Sequence, residues 1–418
     1  MRHRNFKLFF AGQSISLIGT WMTRLATSWL VYRLTGSALL LGIVGFAGQI
    51  LTFLMAPFAG VLIEGMDKRK LLVWTQALSC MQSLALAVLT LAGIITIREI
   101  IILSALQGLI DAFDMPGRQS FMIQMVDDRA DLSNAIALNS SNVNIARLIG
   151  PALAGFVIAA IGEGWCFLID GVSYIAVIVS LLMMYVKPAT LKRATVSMVE
   201  QMKEGWSYVS TFHPIRTILI LFALMSLLGM PYMVLLPIFA ARVLHGGPHT
   251  LGLLTGASGV GALASAFSLA ARKSVRGLVR NIQISALLFG GGLILFGLSH
   301  WLWLSMFLML FVGFGMMQGL AASNTVIQTL VSEDKRSRVM SYYPMAVVGM
   351  MPFGSLLGGA MANRLGAPHT VIITGACCVL GGLWFTWQLP SVREAMRPIY
   401  QQMGIIPAEP AIEETART

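Results

Sequence analysis

The chain has 418 residues, of which 56% are hydrophobic and only 11% charged, with a formal net charge of +11. Soluble domains carry roughly 25% charged residues, so a soluble core could not hide this much apolar surface. Apolar runs of about 20 residues recur throughout, each able to cross a ~30 Å hydrocarbon layer, which points to a polytopic α-helical membrane protein rather than a β-barrel of short alternating segments.

Spans are predicted near 8–32, 38–63, 71–95, 100–117, 135–161, 165–186, 215–241, 249–271, 278–298, 301–326, 339–363 and 368–389. The opening "MRHRNFK" runs directly into the first apolar segment, with no cleavable leader, and reads as a retained span. The even count puts both termini on one side. That side carries 23 of the 29 Lys and Arg residues and the other side 4, leaving Arg24 and Arg147 within spans. The asymmetry places both termini in the cytoplasm and explains the basic charge without a nucleic-acid partner. Cys80, Cys166, Cys377 and Cys378 all lie in apolar runs and read as packing residues; no cysteine–histidine spacing fits a metal, and no cofactor is expected.

The loop "GVLIEGMDKRK" after span two mixes acidic and basic residues: Gly60, Glu64, Asp67, Lys68 and Arg69. Span four carries Gln107, Asp111 and Asp114, with Arg118 four residues after Asp114 and placed for a local helical pair. Span five contains "NIARLIGPALAG". At 1.5 Å per residue, Arg147 lies about 18 Å deep and Asp111 about 16 Å, so the two are level. A charge at mid-bilayer costs from about 2.5 to above 10 kcal/mol and must face protein or water. Asp111 is therefore expected to compensate Arg147 as a coupling pair, since burial raises a carboxyl pKa and lets the acid take a proton within the membrane. Ala146, Gly150 and Ala154 form one smooth helix face, and Pro151 leaves the Arg147 carbonyl without its usual donor, so a kink is expected. Near the other side, Arg24 and Asp170 are positioned to pair. Gln13, Gln107, Asn139, Asn142 and Gln318, with Arg24, are candidates for lining a substrate cavity or for joining helices.

The longest loop follows span six. Its segment "VSMVEQMKEGWSYVSTF" has an apolar stripe at Val199, Met202, Trp206 and Val209, which fits an interfacial amphipathic helix or a plain linker helix. This gives an N-terminal six-helix bundle (1–189), a cytoplasmic linker (190–213), a C-terminal six-helix bundle (214–390) and a cytoplasmic tail (391–418). The halves look related. "LLLGIVGFAGQ" corresponds to "TLGLLTGASGV", "FMIQMVDDRADLSNA" to "TVIQTLVSEDKRSRV", and "GPALAG" to "MPFGSLLGG". Repeated halves are a transporter architecture with the site between them.

These segments resemble the major facilitator superfamily. Its loop signature Gly-x-x-x-Asp-Arg-x-Gly-Arg-Arg is matched at Gly60, Lys68 and Arg69, while Glu64 replaces the aspartate, Gly65 the first basic residue and Asp67 the second glycine. The resemblance implies twelve helices in two pseudo-symmetric bundles. It also implies a cytoplasmic gate in which Glu64 and Arg118 meet the start of span eleven near Val339, with Asp67, Lys68, Arg69 and Asp114 around them. Gly150, Pro151 and Gly155 match the span-five Gly-Pro motif of proton-coupled exporters, with Ala154 in place of a glycine. "NFKLFFAGQSISLIGTWM", "DAFDMPGRQSF" and "ARLIGPALAG" are similar to a bacterial exporter group that includes the enterobactin exporter.

The expected function is export of a small amphipathic molecule (siderophore, drug or metabolite) across the cytoplasmic membrane, by a monomer using proton antiport. An uncoupled facilitator, an importer and a non-transporting receptor or scaffold remain alternatives. No nucleophile elbow or paired catalytic acid and histidine suggests an enzyme, and no phosphate-binding loop suggests ATP.

Overall fold

The computed structural model describes residues 4–125, 131–184, 198–272 and 274–405. The side chains of Glu64, Val199, Glu200 and Met202 lie outside this description, as do Arg2, Arg129, Lys187, Lys192, Arg193, Lys273 and Arg417 among the basic residues counted above. Every described element is helical. The first half comprises α1 (Arg4–Thr35), α2 (Ala38–Glu64), α3 (Lys68–Leu91), α4 (Ile97–Gln124), α5 (Leu132–Ile161) and α6 (Glu163–Leu182). The linker helix α7 (Met198–Thr211) leads into α8 (His213–Leu224) and α9 (Tyr232–Ile238), which together make one interrupted span. Then come α10 (Pro248–Ala270), α11 (Leu278–Leu298), α12 (Leu302–Leu330), α13 (Glu333–Val347), α14 (Met351–Leu365) and α15 (Ala367–Gln402).

Among the described residues, 11 helical segments are long and apolar enough to cross a membrane. The other long helix, α1, has 32 residues and carries polar side chains along its buried face, among them Gln13 and Ser16. Local chemistry sets the helix ends. Ser37 accepts from the Leu40 amide to start α2, and Asp67 accepts from the Arg69 and Lys70 amides to start α3. Thr96 and Glu99 form a capping box on α4. Prolines open α8, α10, α14 and α15, where a missing N–H costs nothing. The α5–α6 and α14–α15 turns use the same device, a positive-φ glycine: Gly162 at 94° and Gly366 at 84°.

Two spans depart from the expected continuous helices. The α8–α9 span contains π-helical stretches at Met225–Gly229 and Phe239–Val243. Pro231 cannot donate to Leu227, and the bare Leu227 carbonyl faces Gly354 of α14, where an added Cβ would lie 2.5 Å away. The other interruption falls between α13 and α14, beside Pro344 and Pro352. There the Ser226 hydroxyl donates to the Val347 carbonyl, so the two breaks satisfy each other. Broken helices of this kind are tolerated in membranes only where protein or a cavity supplies the lost partners.

The last helix also runs past its expected end at 389, to Gln402, despite Pro390 and Pro398. Val392, Met396 and Tyr400 recur at helical spacing and are buried, and that packing outweighs the proline penalty. The linker helix α7 packs on the second half. Glu204 pairs with Arg338, the rings of Trp206 and Tyr342 lie 5.9 Å apart, and Val209 is buried.

The halves meet at two symmetric crossings. At Gly155 an added Cβ would lie 2.8 Å from the Pro248 carbonyl, and at Gly252 it would lie 2.7 Å from that of Pro151. At Gly42 it would meet Ser355 O at 2.6 Å, and at Gly359 it would meet Ala38 O at 2.7 Å. Four of the six segments that looked like repeats therefore meet pairwise, α5 on α10 and α2 on α14. Both crossings lie toward the face opposite the basic loops. At the other end of α5, Ile136 and Ile145 are exposed. Gly252→Leu should pry the closed face open at a cost of about 1–3 kcal/mol. The check is labelling of a cysteine at Ser355, which is buried in the other crossing: its rate should rise roughly 5- to 150-fold, and an unchanged rate would contradict this reading of the interface.

Candidate functional site

Arg147 lies where the halves face each other. Gly150, one turn on, sits against α1, with its added Cβ 2.6 Å from Trp21 Cβ and 2.9 Å from the Ile18 carbonyl. Ala146 and Ala154 are buried on the same packed side. The span-five motif thus divides its work: Gly150 admits α1 of its own half and Gly155 admits α10 of the other. The helix passes through Pro151 unbroken.

From this seat the Arg147 guanidinium reaches across the interface to Met316 Sδ of α12, at 3.9 Å, and lies over the Trp21 indole, 5.6 Å from its centroid. Arg24 stacks on the same indole at 4.9 Å. No described carboxylate is within ion-pair distance of either arginine. The expected Arg147–Asp111 ion pair is therefore not formed: the two are level in depth, but α5 turns its arginine toward the second half. Asp111 itself accepts a hydrogen bond from Gln107 Nε2 at 2.9 Å, and Gln107 also reaches Ser79 at 3.3 Å.

Arg24 and Asp170 do not form an ion pair either. Asp170 is buried in the α1–α3–α6 seam, where Ser83 donates to it at 2.7 Å and Gly19 leaves room for it. Arg24 projects to the exposed side of α1 instead. The acid–base pair that does bridge these elements is one the sequence reading overlooked: Arg33 of α1 binds Glu163 of α6 through two nitrogens, at 2.7 and 3.2 Å. Its signal was a basic residue at the end of one span and an acid at the start of another on the same side. Glu163 is buried, so Arg33→Gln should lower stability by about 1–3 kcal/mol, seen as a reduced melting temperature in detergent. Adding Glu163→Gln should restore most of the loss.

At the basic-loop end, Asp114 is buried and accepts from Thr75 and Gln76, each at 2.8 Å, and from Arg118. Arg69 donates to the Leu181 and Leu182 carbonyls at 2.8 and 2.7 Å, closing the end of α6. Asp67 caps α3, and Lys68 is its first residue. The helix expected to start near Val339 starts at Glu333, and Val339 is buried within it. Gly60 lies near the end of α2 and Glu64 ends it; neither side position is described.

Of the polar candidates, Gln13 and Asn142 are buried with Oε1 and Nδ2 respectively lacking partners, as does Gln107 Oε1. Gln318 accepts from Ser265 at 2.9 Å and is a helix-joining contact. Asn139 is half-buried on α5. Beside Arg147, a small cavity of about 30 Å³ lies at the helix breaks, lined by Met225, Met230, Phe289 and Met316 among others. At the opposite face, Arg242 of the second half donates to the Gly36 carbonyl of the first at 3.1 Å and covers Tyr32 at 5.8 Å.

A family described as transmembrane secretion effector matches residues 1–410. The staphyloferrin A transporter of Staphylococcus aureus (strain NCTC 8325 / PS 47) is 27% identical over 371 residues, covering 88% of this chain and 92% of that one. Macrolide efflux protein A of Streptococcus pyogenes is 22% identical over 397 residues, covering 90% and 95%. Among solved structures, a bacterial homolog of the human lysosomal transporter Spinster, inward-facing and occupied, aligns with a TM-score of 0.73 at 12% identity, covering 93% of this chain and 97% of that one.

Proposed function

Since the chain belongs to the transmembrane secretion effector family of major facilitator transporters, and is a multi-pass membrane protein and not an enzyme, we propose that it exports a small amphipathic molecule across the cytoplasmic membrane by alternating access, driven by proton antiport. The observation that carries this reading is Arg147, a charge at mid-span held between the halves by a thioether and an indole rather than by an acid. The efflux and siderophore-transport names of its relatives support export of such a cargo.

The bundles 1–189 and 214–390 are the two moving bodies, joined by linker 190–213 and followed by tail 391–418, in a monomer with both termini cytoplasmic. Crossings on the opposite face, with Arg242 on Gly36, close the outside, and the site opens to the cytoplasm. Gly60, Glu64, Asp67, Lys68, Arg69, Asp114 and Arg118 form the cytoplasmic gate, which closes in the alternate state.

Coupling resides in Asp111 and Arg147. Ionised, Asp111 fixes the Gln107 amide that reaches Ser79 of α3; protonated, it loosens that hold, and α3 and α4 change their relation. Proton uptake on the outside and proton release on the inside then set the direction of the cycle. Arg147 faces the cargo. Gln13, Gln107, Asn139 and Asn142 complete the cavity wall.

The test is a chromosomal knockout with metabolite profiling of cells and medium. One compound should accumulate inside the cells, and wild type but not Arg147→Ala should return it to the medium. Unchanged profiles, or a compound lost from the medium that fails to build up inside, would overturn the proposal.

A further inference from the structure

We propose that the arginine-lined space at Trp21 binds the acidic head of the cargo, so that the substrate class is an amphipathic carboxylate. This rests on the transporter reading above and deepens it. Two guanidinium groups, Arg24 and Arg147, share one indole, at 4.9 and 5.6 Å from its centroid. Like charges so placed repel, and each keeps most of its donors unused. Arg147 has one hydrogen-bond acceptor among the described residues, a thioether, which is a weak one.

The surrounding protein does not supply the missing anion. Asp114 is taken by Arg118, Thr75 and Gln76; Asp170 is turned away into its seam with Ser83; Asp111 is held by Gln107. The facing half has no Asp or Glu between 214 and 332. A carboxylate entering between the halves would meet the planar donor forks of both arginines, a geometry that favours bidentate binding.

Next to this charged point the wall turns apolar. Met316 contacts Arg147 and also lines the cavity formed with Met225, Met230 and Phe289 at the helix breaks. Methionines adapt to varied apolar shapes. The site therefore sets an anion-binding point beside a wall of flexible methionines, whose cavity of about 30 Å³ widens to take an acid carried on an apolar body; two arginines there disfavour a lipophilic cation.

The experiment measures binding without flux. Purified full-length protein in nanodiscs of neutral phosphatidylcholine is titrated with 1-pyrenebutyrate and 2-naphthoate, and with their counterparts 1-pyrenebutylammonium and 2-naphthylmethylammonium. Energy transfer from tryptophan reads occupancy. Both carboxylates should bind saturably and at least 10-fold more tightly than the matched amines. Arg147→Gln and Arg24→Gln should each weaken the carboxylates about 10-fold or more and leave the amines unchanged, while Arg147→Lys retains part of the affinity. Monodisperse gel filtration of each variant excludes misfolding as the cause. Equal affinity for acids and amines, or carboxylate binding indifferent to Arg147→Gln in a folded protein, would overturn the proposal. Carboxylate binding without transport of any compound would leave this site standing and sink the export reading instead.

Discussion

Arg147→Ala should reduce export roughly 10- to 150-fold while the protein still inserts and folds. The magnitude follows from losing a charge-assisted hydrogen bond, about 1.5–3 kcal/mol. The direction for folding follows from what surrounds the side chain. Its guanidinium has no ion-pair partner among the described residues, so its removal strands no buried carboxylate. The helix face that packs α5 on α1 belongs to Ala146, Gly150 and Ala154, which the substitution leaves intact. Relieving a mid-membrane charge stabilises the fold if anything. A variant that is well expressed and inactive separates function from structure. A variant that exports at the wild-type rate, or that fails to accumulate because it unfolds, would show Arg147 to be a structural residue.

Asp111→Asn should abolish accumulation against a gradient and retain substrate exchange. Asparagine keeps the size and the acceptor for Gln107 Nε2, so the 2.9 Å hydrogen bond survives. The proton site does not survive. A carrier fixed in one charge state still swaps cargo across the membrane but draws no energy from a proton gradient. In vesicles the variant should show counterflow of the compound found by profiling, and its flux should be indifferent to an imposed pH difference. Gln107→Ala offers a milder comparison, since it removes the neighbour and keeps the acid. Full gradient-driven accumulation by Asp111→Asn would move coupling elsewhere, with Asp170 the next acid to examine because it is also buried in the first half.

What was legible in the sequence reflects which information is local. Among the described residues 11 helical segments are long and apolar enough to cross a membrane; such apolar spans depend on runs of neighbouring residues, and the chain writes these out directly. The partner of Arg147 does not. Counting residues gives depth along a helix, and Asp111 is level with Arg147, yet depth says nothing about which way each side chain points. That direction is set by what Gly150 and Gly155 pack against, Trp21 and Pro248, residues more than ninety positions away from one or the other. The same reasoning explains Arg24 and Asp170, which are close in depth and face different seams.

The interruptions of the α8–α9 and α13–α14 spans had a signal in Gly229, Pro231, Pro344 and Pro352. Prolines alone do not distinguish a kinked helix from a broken one, as Pro151 shows by sitting in an unbroken α5. What decides is whether a partner stands opposite to accept the freed groups, here Ser226 for Val347 and Gly354 beside Leu227. The repeat pattern held more than was first drawn from it. Two of its three matched pairs supply contacts between the halves, α5 on α10 and α2 on α14.

Proton-coupled export by this chain is tested most directly in everted membrane vesicles, whose cytoplasmic face is outside, using the compound identified by profiling. With the lumen acidified by respiration, the compound should accumulate inside, the lumen should lose protons in step with that uptake, and nigericin should abolish both. Accumulation that persists after the pH gradient is collapsed, or loss of compound from preloaded vesicles driven by the same gradient, would contradict the account.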